Sequence, residues 1–185
     1  MKMIIIEKLK KYWIYLTAVI VIVAALIIIP LQINEEALAV KEAESAFTKT
    51  PLETDNDING VSIFLPQGYI VESESENNLT VKKGSQRFLI FFNPFEDSGS
   101  RLAYQELTAD TTNYVVNETF EDGTSFGYLL IEKVKKRYQM TIGIGGFKIT
   151  TTTKRAKLSS DAKDMMRIVR SMKLLDKADV ENSND

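Results

Sequence analysis

From Tyr12 to Asn34 the chain runs for 23 residues without a charged side chain, and Ile14–Ile33 is almost wholly apolar. A bilayer core of ~30 Å takes about 20 helical residues to cross, and only a helix or a closed barrel satisfies its own backbone there. A soluble domain within a 185-residue chain seldom contains such a run. Residues 12–34 therefore read as a transmembrane helix.

The flanks set its direction. Lys2, Lys8, Lys10 and Lys11 precede the run against one acid, Glu7, whereas residues 34–57 hold seven acids and two lysines. Basic flanks stay cytoplasmic. Residues 1–11 are thus expected as a cytoplasmic basic tail, and everything after Asn34 lies outside the cell membrane. Ala37-Leu38-Ala39 has the small-x-small form of a signal-peptidase site. However, a signal h-region is typically about 7–15 residues, shorter than this run, and Glu35 and Glu36 crowd the cut. A retained, single-pass anchor is preferred to a cleaved leader. With no cysteine in the chain, lipid attachment at a lipobox is excluded.

Pro30, in the outer third of the span, removes a backbone hydrogen bond and predicts a kink. Residues 35–57 are read as an acidic stalk or linker. The helix formers of EEALAVKEAESAF would carry the helix out of the membrane; a disordered acidic spacer is the alternative. From residue 58 strand signals dominate, and 58–175 is expected as one extracytoplasmic domain, with 176–185 a polar tail.

Three hairpins are legible. LTVKK-GS-QRFLIFF pairs Val81 with Phe88 and Leu79 with Ile90 across Gly84-Ser85. NYVVNETFE-DG-TSFGYLLIEKV is a second, with Asp122-Gly123 expected as a type I′ turn. In YQMTIGI-GG-FKITTTTK, the Gly145-Gly146 loop puts Phe147 opposite Ile144 and Ile149 opposite Ile142, leaving Thr141, Thr150, Thr152 and Lys148 on a wet face. Leu158, Ala162, Met165, Met166, Val169 and Met172 then form one stripe at helical period, suited to cover the dry face. A short helix near Arg101–Leu107 is expected over Leu89 and Phe91. The fold class is α+β: an antiparallel sheet of about six strands built from hairpins, one face covered by a C-terminal amphipathic helix, preceded by one transmembrane helix.

An opening strand ending in Leu65-Pro66-x-Gly68-Tyr69, hairpins interrupted by a helix near 101–108, and a closing helix ending in Ile168-Val169-Arg170-Ser171-Met172 give a familiar order. Over residues 58–175 the chain resembles the Mog1/PsbP/DcrB-like superfamily of small α+β domains, several of whose bacterial members are exported and membrane-attached. It departs from the lipoprotein members in lacking a lipobox cysteine. The resemblance implies no shared catalytic residues; its members mostly bind other proteins or serve as accessory subunits.

The motifs with chemical overtones read as structure. DNDING, Asp55–Gly60, opens like a calcium loop, but its ninth position is Ile63 and its twelfth Pro66, so the closing carboxylate is missing. A turn that launches the first strand is the preferred reading. Gly143-Ile144-Gly145-Gly146 joins strand to strand, whereas a phosphate loop needs a helix start. Ser160-Asp161-Ala162-Lys163 matches S-x-x-K without the companion elements of a serine acylase. The chain has no histidine and no cysteine, which removes Ser-His-Asp and Cys-His hydrolases and the usual zinc sites. No catalytic residue, metal or cofactor is expected.

Charge gives the best functional signal. Residues 58–132 carry four basic and eleven acidic groups, residues 133–173 twelve basic and two acidic. Lys133, Lys135, Lys136 and Arg137 crowd one turn, and Lys154, Arg155 and Lys157 follow the last strand of the third hairpin, whose register brings Arg137 opposite Lys154. Such a patch suits anionic lipid headgroups, wall polymer or an acidic protein face; neutralisation by the acidic half of the domain is the alternative. Two functions are expected. One is a protein-interaction module, an accessory or regulatory subunit of an envelope assembly, contacting its partner through an apolar surface at Phe92 and Phe95. The other is a receptor-type domain that takes an anionic polymer, lipid headgroup or peptide on the patch. Nucleic acid is not expected as a partner outside the membrane.

Overall fold

The computed structural model describes residues 12–13, 15–23, 34–110 and 113–175. The chain divides into two units, Met1–Asn34 and Glu35–Asp185. In the first, residues 12–13 and 15–23 are helical. Among the described residues no helix is both long and apolar enough to cross a membrane. Residues 14 and 24–33 of the expected span, the basic tail 1–11 and the polar tail 176–185 lie outside the described residues.

The second unit begins with helix α1 (Glu35–Phe47) and a small hairpin, β1 (Asn56–Ile58) and β2 (Val61–Ile63). Three strands follow, β3 (Tyr69–Ser75), β4 (Asn78–Lys83) and β5 (Gln86–Phe92), then helix α2 (Leu102–Thr108). Next come β6 (Tyr114–Glu121), β7 (Phe126–Val134), β8 (Arg137–Ile144) and β9 (Phe147–Thr153). A 3-10 turn at Arg155–Lys157 leads into α3 (Leu158–Ser171), and β10 (Lys173–Leu174) closes the chain of elements. The large sheet is antiparallel with seven strands in the order β3-β4-β5-β9-β8-β7-β6, and β1-β2-β10 form a small second sheet. The α+β class and the covering C-terminal helix hold; the sheet is one strand larger than expected.

The turns explain the pairing. Val81 faces Phe88 and Leu79 faces Ile90, and Ile144 faces Phe147 while Ile142 faces Ile149, as the sequence predicts. The middle hairpin differs. Glu121 pairs with Phe126, so the loop has four residues, and Asp122 is not in the positive-φ region that a type I′ turn demands at both central positions. Instead the Asp122 carboxylate accepts the backbone N–H groups of Thr124 and Ser125, an Asx turn. The type I′ geometry occurs in DNDING: Asn59 and Gly60 have φ of 53° and 79° and join β1 to β2. There Asp55 accepts the Leu65 N–H, and the Asn59 amide donates to the Ser75 carbonyl. Strand β3 was not anticipated. Past Tyr69 it is exposed along its whole length, as a polar edge strand is, and so lacks apolar alternation.

Two helices depart from expectation. The segment read as stalk or spacer is part of the domain: α1 buries Ala39, Ala43, Ala46 and Phe47 and packs against α3. The domain therefore starts at Glu35 rather than at residue 58. Helix α2 forms, but Tyr104 and Leu107 pack on Phe126, Tyr128 and Leu130, leaving Leu89 59% exposed. Strand order causes the difference, because β5 lies at the opposite side of the sheet from β6 and β7.

The main core lies between α1 and α3 and one sheet face, where Val81, Phe88, Ile90, Leu129, Ile131, Met140, Ile142 and Ile149 are fully enclosed. Ser159 bonds Glu35 at 3.2 Å, Lys163 pairs with Glu42 at 3.1 Å, and the Arg170 guanidinium lies 4.9 Å from the Phe47 ring centre. Contacts in the same order along both helices mean that they run parallel, with their N-termini at the same end of the sheet.

Candidate functional site

At that end four segments converge. Val134 faces Arg137 around the Lys135-Lys136 turn, and Tyr138 faces Thr153, so Arg137 stands beside Lys154 where β9 leaves the sheet. Lys83 faces Gln86 around Gly84-Ser85 on the adjoining pair. The 3-10 turn adds Arg155 and Lys157, and α1 begins beside it. The seven patch residues that the sequence singled out are thus brought to one end, and all are exposed.

They are not equivalent. Arg155 donates from Nε and Nη2 to the two oxygens of Glu36, at 3.2 and 3.0 Å. That hydrogen-bonded guanidinium holds the Glu36 carboxyl below its ordinary range. Arg155 thereby joins α1 to the domain. Lys133, Lys135, Lys136, Arg137, Lys154 and Lys157 have no carboxylate partner among the described residues. The neutralisation alternative accounts for one of the seven.

Arg137 and Lys154 also border a depression of about 870 Å³ on the sheet face opposite α1 and α3. Its floor is polar, from Gln139, Thr150 and Thr152, and its far side is bordered by Arg87, Leu89 and the Gly84-Ser85 turn, with Lys83 at the edge turned towards Asp164 of α3. Strand alternation sets this lining: Met140, Ile142 and Ile149 point to the core, so Gln139, Thr141 and Thr150 point away. Arg87 is held by Glu72 through two hydrogen bonds, and Lys83 donates to Asp164 at 2.9 Å. The described lining contains no carboxylate. It offers hydrogen-bond donors and positive charge, which suits an anion, and no pair of acids for proton transfer.

Sequence reasoning placed Thr150 and Thr152 on the wet face but missed Lys83 and Arg87. Arg87 reaches the site because β5 pairs with β9, and Lys83 comes to its edge through the β4–β5 hairpin. Strands β5 and β9 are far apart in the chain, and no local signal announces their pairing.

A second cavity, about 280 Å³, lies between residues 49–52 and α3 and is also rimmed by cations. Most of these are engaged: Lys163 by Glu42 and Arg170 by Asp122, while Arg167 lies 5.5 Å from the Phe64 ring centre. Lys49, on the same rim, has no carboxylate partner among the described residues. In DNDING the Asp55, Asn56 and Asn59 side chains are engaged within the fold, and among the described residues no group of three or more His, Cys, Asp or Glu is placed to hold a metal.

The expected apolar contact divides. Phe92 is 5% exposed and belongs to the core with Phe88 and Ile90, because the three share one face of β5; it is not a surface residue. Phe95 is 94% exposed. It stands on a loop fixed by its neighbours: the Phe95 N–H donates to Asn93 at 3.1 Å, Glu96 accepts from Asn93 and Ser100 at 2.6 Å each, and Phe126 N–H donates to Ser98 at 2.8 Å. Gly145 lets this loop close down, since a Cβ there would overlap the Asp97 carbonyl oxygen and its φ is 52°.

No family model matches the chain, and no curated protein matches it. A solved structure from Bacteroides thetaiotaomicron VPI-5482 is similar over 64% of this chain and 46% of its own, at 12% identity and a TM-score of 0.36. The chain spans less than half the length of that structure, and no functional reading rests on the likeness.

Proposed function

We propose that this chain is a non-enzymatic binding module, anchored in the cell membrane by residues 12–34 with its domain outside, whose cationic sheet end takes an anionic ligand. One observation carries this: six cations without a carboxylate partner among the described residues gather at one end, beside a depression whose described lining has no acid. At the second cavity two of the four rim cations, Lys163 and Arg170, pair with carboxylates of the fold, whereas at this end Arg155 alone of the seven does so among the described residues. The test is capture of soluble polyphosphate by the full chain and by a variant with Lys135, Lys136, Lys154 and Lys157 each changed to Glu. Arg155 is left alone because it pairs with Glu36. Capture that falls with rising salt and is lost in the variant is the expected result; equal capture by both proteins overturns the reading.

A second reading is a protein-interaction module serving as an accessory subunit of an envelope assembly, as the resemblance to the Mog1/PsbP/DcrB-like domains implies. The exposed Phe95 on its pinned loop favours it. An assembly that survives Phe95→Ser, with the fold intact, would remove that support.

A further inference from the structure

The cationic end has two parts of different shape. Arg137, Lys154 and Lys157 border the depression, whereas Lys135 and Lys136 form the exposed β7–β8 turn, with Lys133 and the 41% exposed Val134 at the end of β7 beside them. A ligand held in a depression needs no cations on the turn. A flat anionic surface meets projecting turns first, and a mixture of lysines with one small apolar side chain is what the headgroup zone of a bilayer accommodates.

The path of the chain points the same way. Glu35, where the chain enters the domain, bonds Ser159, and Glu36 bonds Arg155, so the chain arrives at the cationic end itself. No linker separates Glu35 from the uncharged run 12–34. The run thus ends in sequence at the residue before Glu35, while the loop bearing Phe95 packs on the Gly145-Gly146 turn, the far end of β8 and β9.

We propose that the cationic end docks on a surface of anionic phospholipid headgroups, with Lys133, Lys135, Lys136, Arg137, Lys154 and Lys157 as the contact. This rests on the anion-binding reading above and names the ligand. Each cation near such a surface strengthens binding about fivefold, so removing two weakens it about 25-fold. The domain then lies on the membrane that anchors it, with its acidic loops and Phe95 turned away.

The chain has no cysteine, which makes a single probe unambiguous. Ala156→Cys, exposed in the 3-10 turn, carries an environment-sensitive fluorophore on the full chain reconstituted in vesicles of phosphatidylcholine, with or without phosphatidylglycerol. The expected result is a shift of emission and quenching by headgroup-labelled lipid only when phosphatidylglycerol is present. High salt should reverse it, and so should Gln at Lys135, Lys136, Lys154 and Lys157 together, with circular dichroism confirming the fold. Emission indifferent to phosphatidylglycerol overturns the proposal. If the same protein still captures soluble polyphosphate, the binding function stands and only the lipid assignment falls; if it captures neither, both fall.

Discussion

Lys135 holds a φ of 56°, in the left-handed region, where a side chain on an L residue costs about 1–2 kcal/mol. The other described non-glycine residues with positive φ are Asn59 and Asn77, and asparagine tolerates that region through its short polar side chain. A lysine has no such compensation, and the first position of this two-residue turn is one that glycine normally fills. Lys135→Gly should therefore stabilise the domain by about 1 kcal/mol, read as a higher urea midpoint at unchanged slope, despite the greater entropy of glycine in the unfolded chain. An unchanged or lower midpoint would mean that the lysine stem makes a packing contribution that offsets the strain. At this scale some of the site is legible in the sequence and some is not. The lysines of the β7–β8 turn are visible as a run. The alternation that turns Phe88 and Ile90 inward extends to Phe92, so its burial is legible too, though a surface role was expected for it. The Glu36 partner of Arg155 lies 119 residues away, and nothing near either residue reveals the pair.

Helix α1 shows the same limit at the scale of an element. Its helix formers predict the helix, but its buried side consists of Ala39, Ala43 and Ala46 with a single large residue, Phe47. Such a face contrasts weakly with the charged remainder, so the pattern reads equally as a free stalk. Packing decides: alanines let α1 approach α3 closely, and Gly127 leaves room for the Phe47 ring, whose Cε2 lies 2.7 Å from where a Cβ would stand. The ring is 1% exposed, 5.7 Å from Phe120 and capped by Arg170. Phe47→Ala should cost about 3–5 kcal/mol in equilibrium urea unfolding of the full chain, the range for emptying a buried aromatic site. A cost below about 0.5 kcal/mol, the range of ordinary surface substitutions, would show that α1 is not part of the cooperative unit and would return it to the role of stalk. Hairpins were the easier elements, because turn residues and alternation are local signals; the order β5-β9 and the reach of α2 over β6 and β7 are not.

Across the whole molecule the uneven charge of the sequence becomes a separation in space. Cations with no carboxylate partner among the described residues gather where β7 turns into β8 and β9 ends, while Glu76, Asp97 and Asp122 lie in turns and loops at the other end of the sheet, with Glu121 at the end of β6 beside them. The chain has no histidine, so no imidazole changes charge between about pH 5 and 8, and acid sensitivity must come from carboxyl groups. Asp122 is the clearest. The backbone N–H of Ser125, with further hydrogen bonds from Arg170 and Thr124, holds it at about 2 against an ordinary 3.8, although burial opposes the shift. Its folded value lies below its unfolded one, so the carboxylate stabilises the fold fully above about pH 3.8, and that contribution is lost as the pH falls through about 2. Glu36, lowered mainly by Arg155, acts in the same direction at the opposite end of α1. Thermal stability should therefore be level through neutral pH and fall on acidification, with Asp122→Asn flattening the fall between about pH 3.8 and 2. The same substitution weakens the Arg170 contact at every pH, so the variant should also be less stable at neutrality. A variant that loses stability with the same acid profile as the parent would place the titration on another carboxylate. A parallel measurement with Glu36→Gln then assigns it either to the strap that fixes α1 or to neither end.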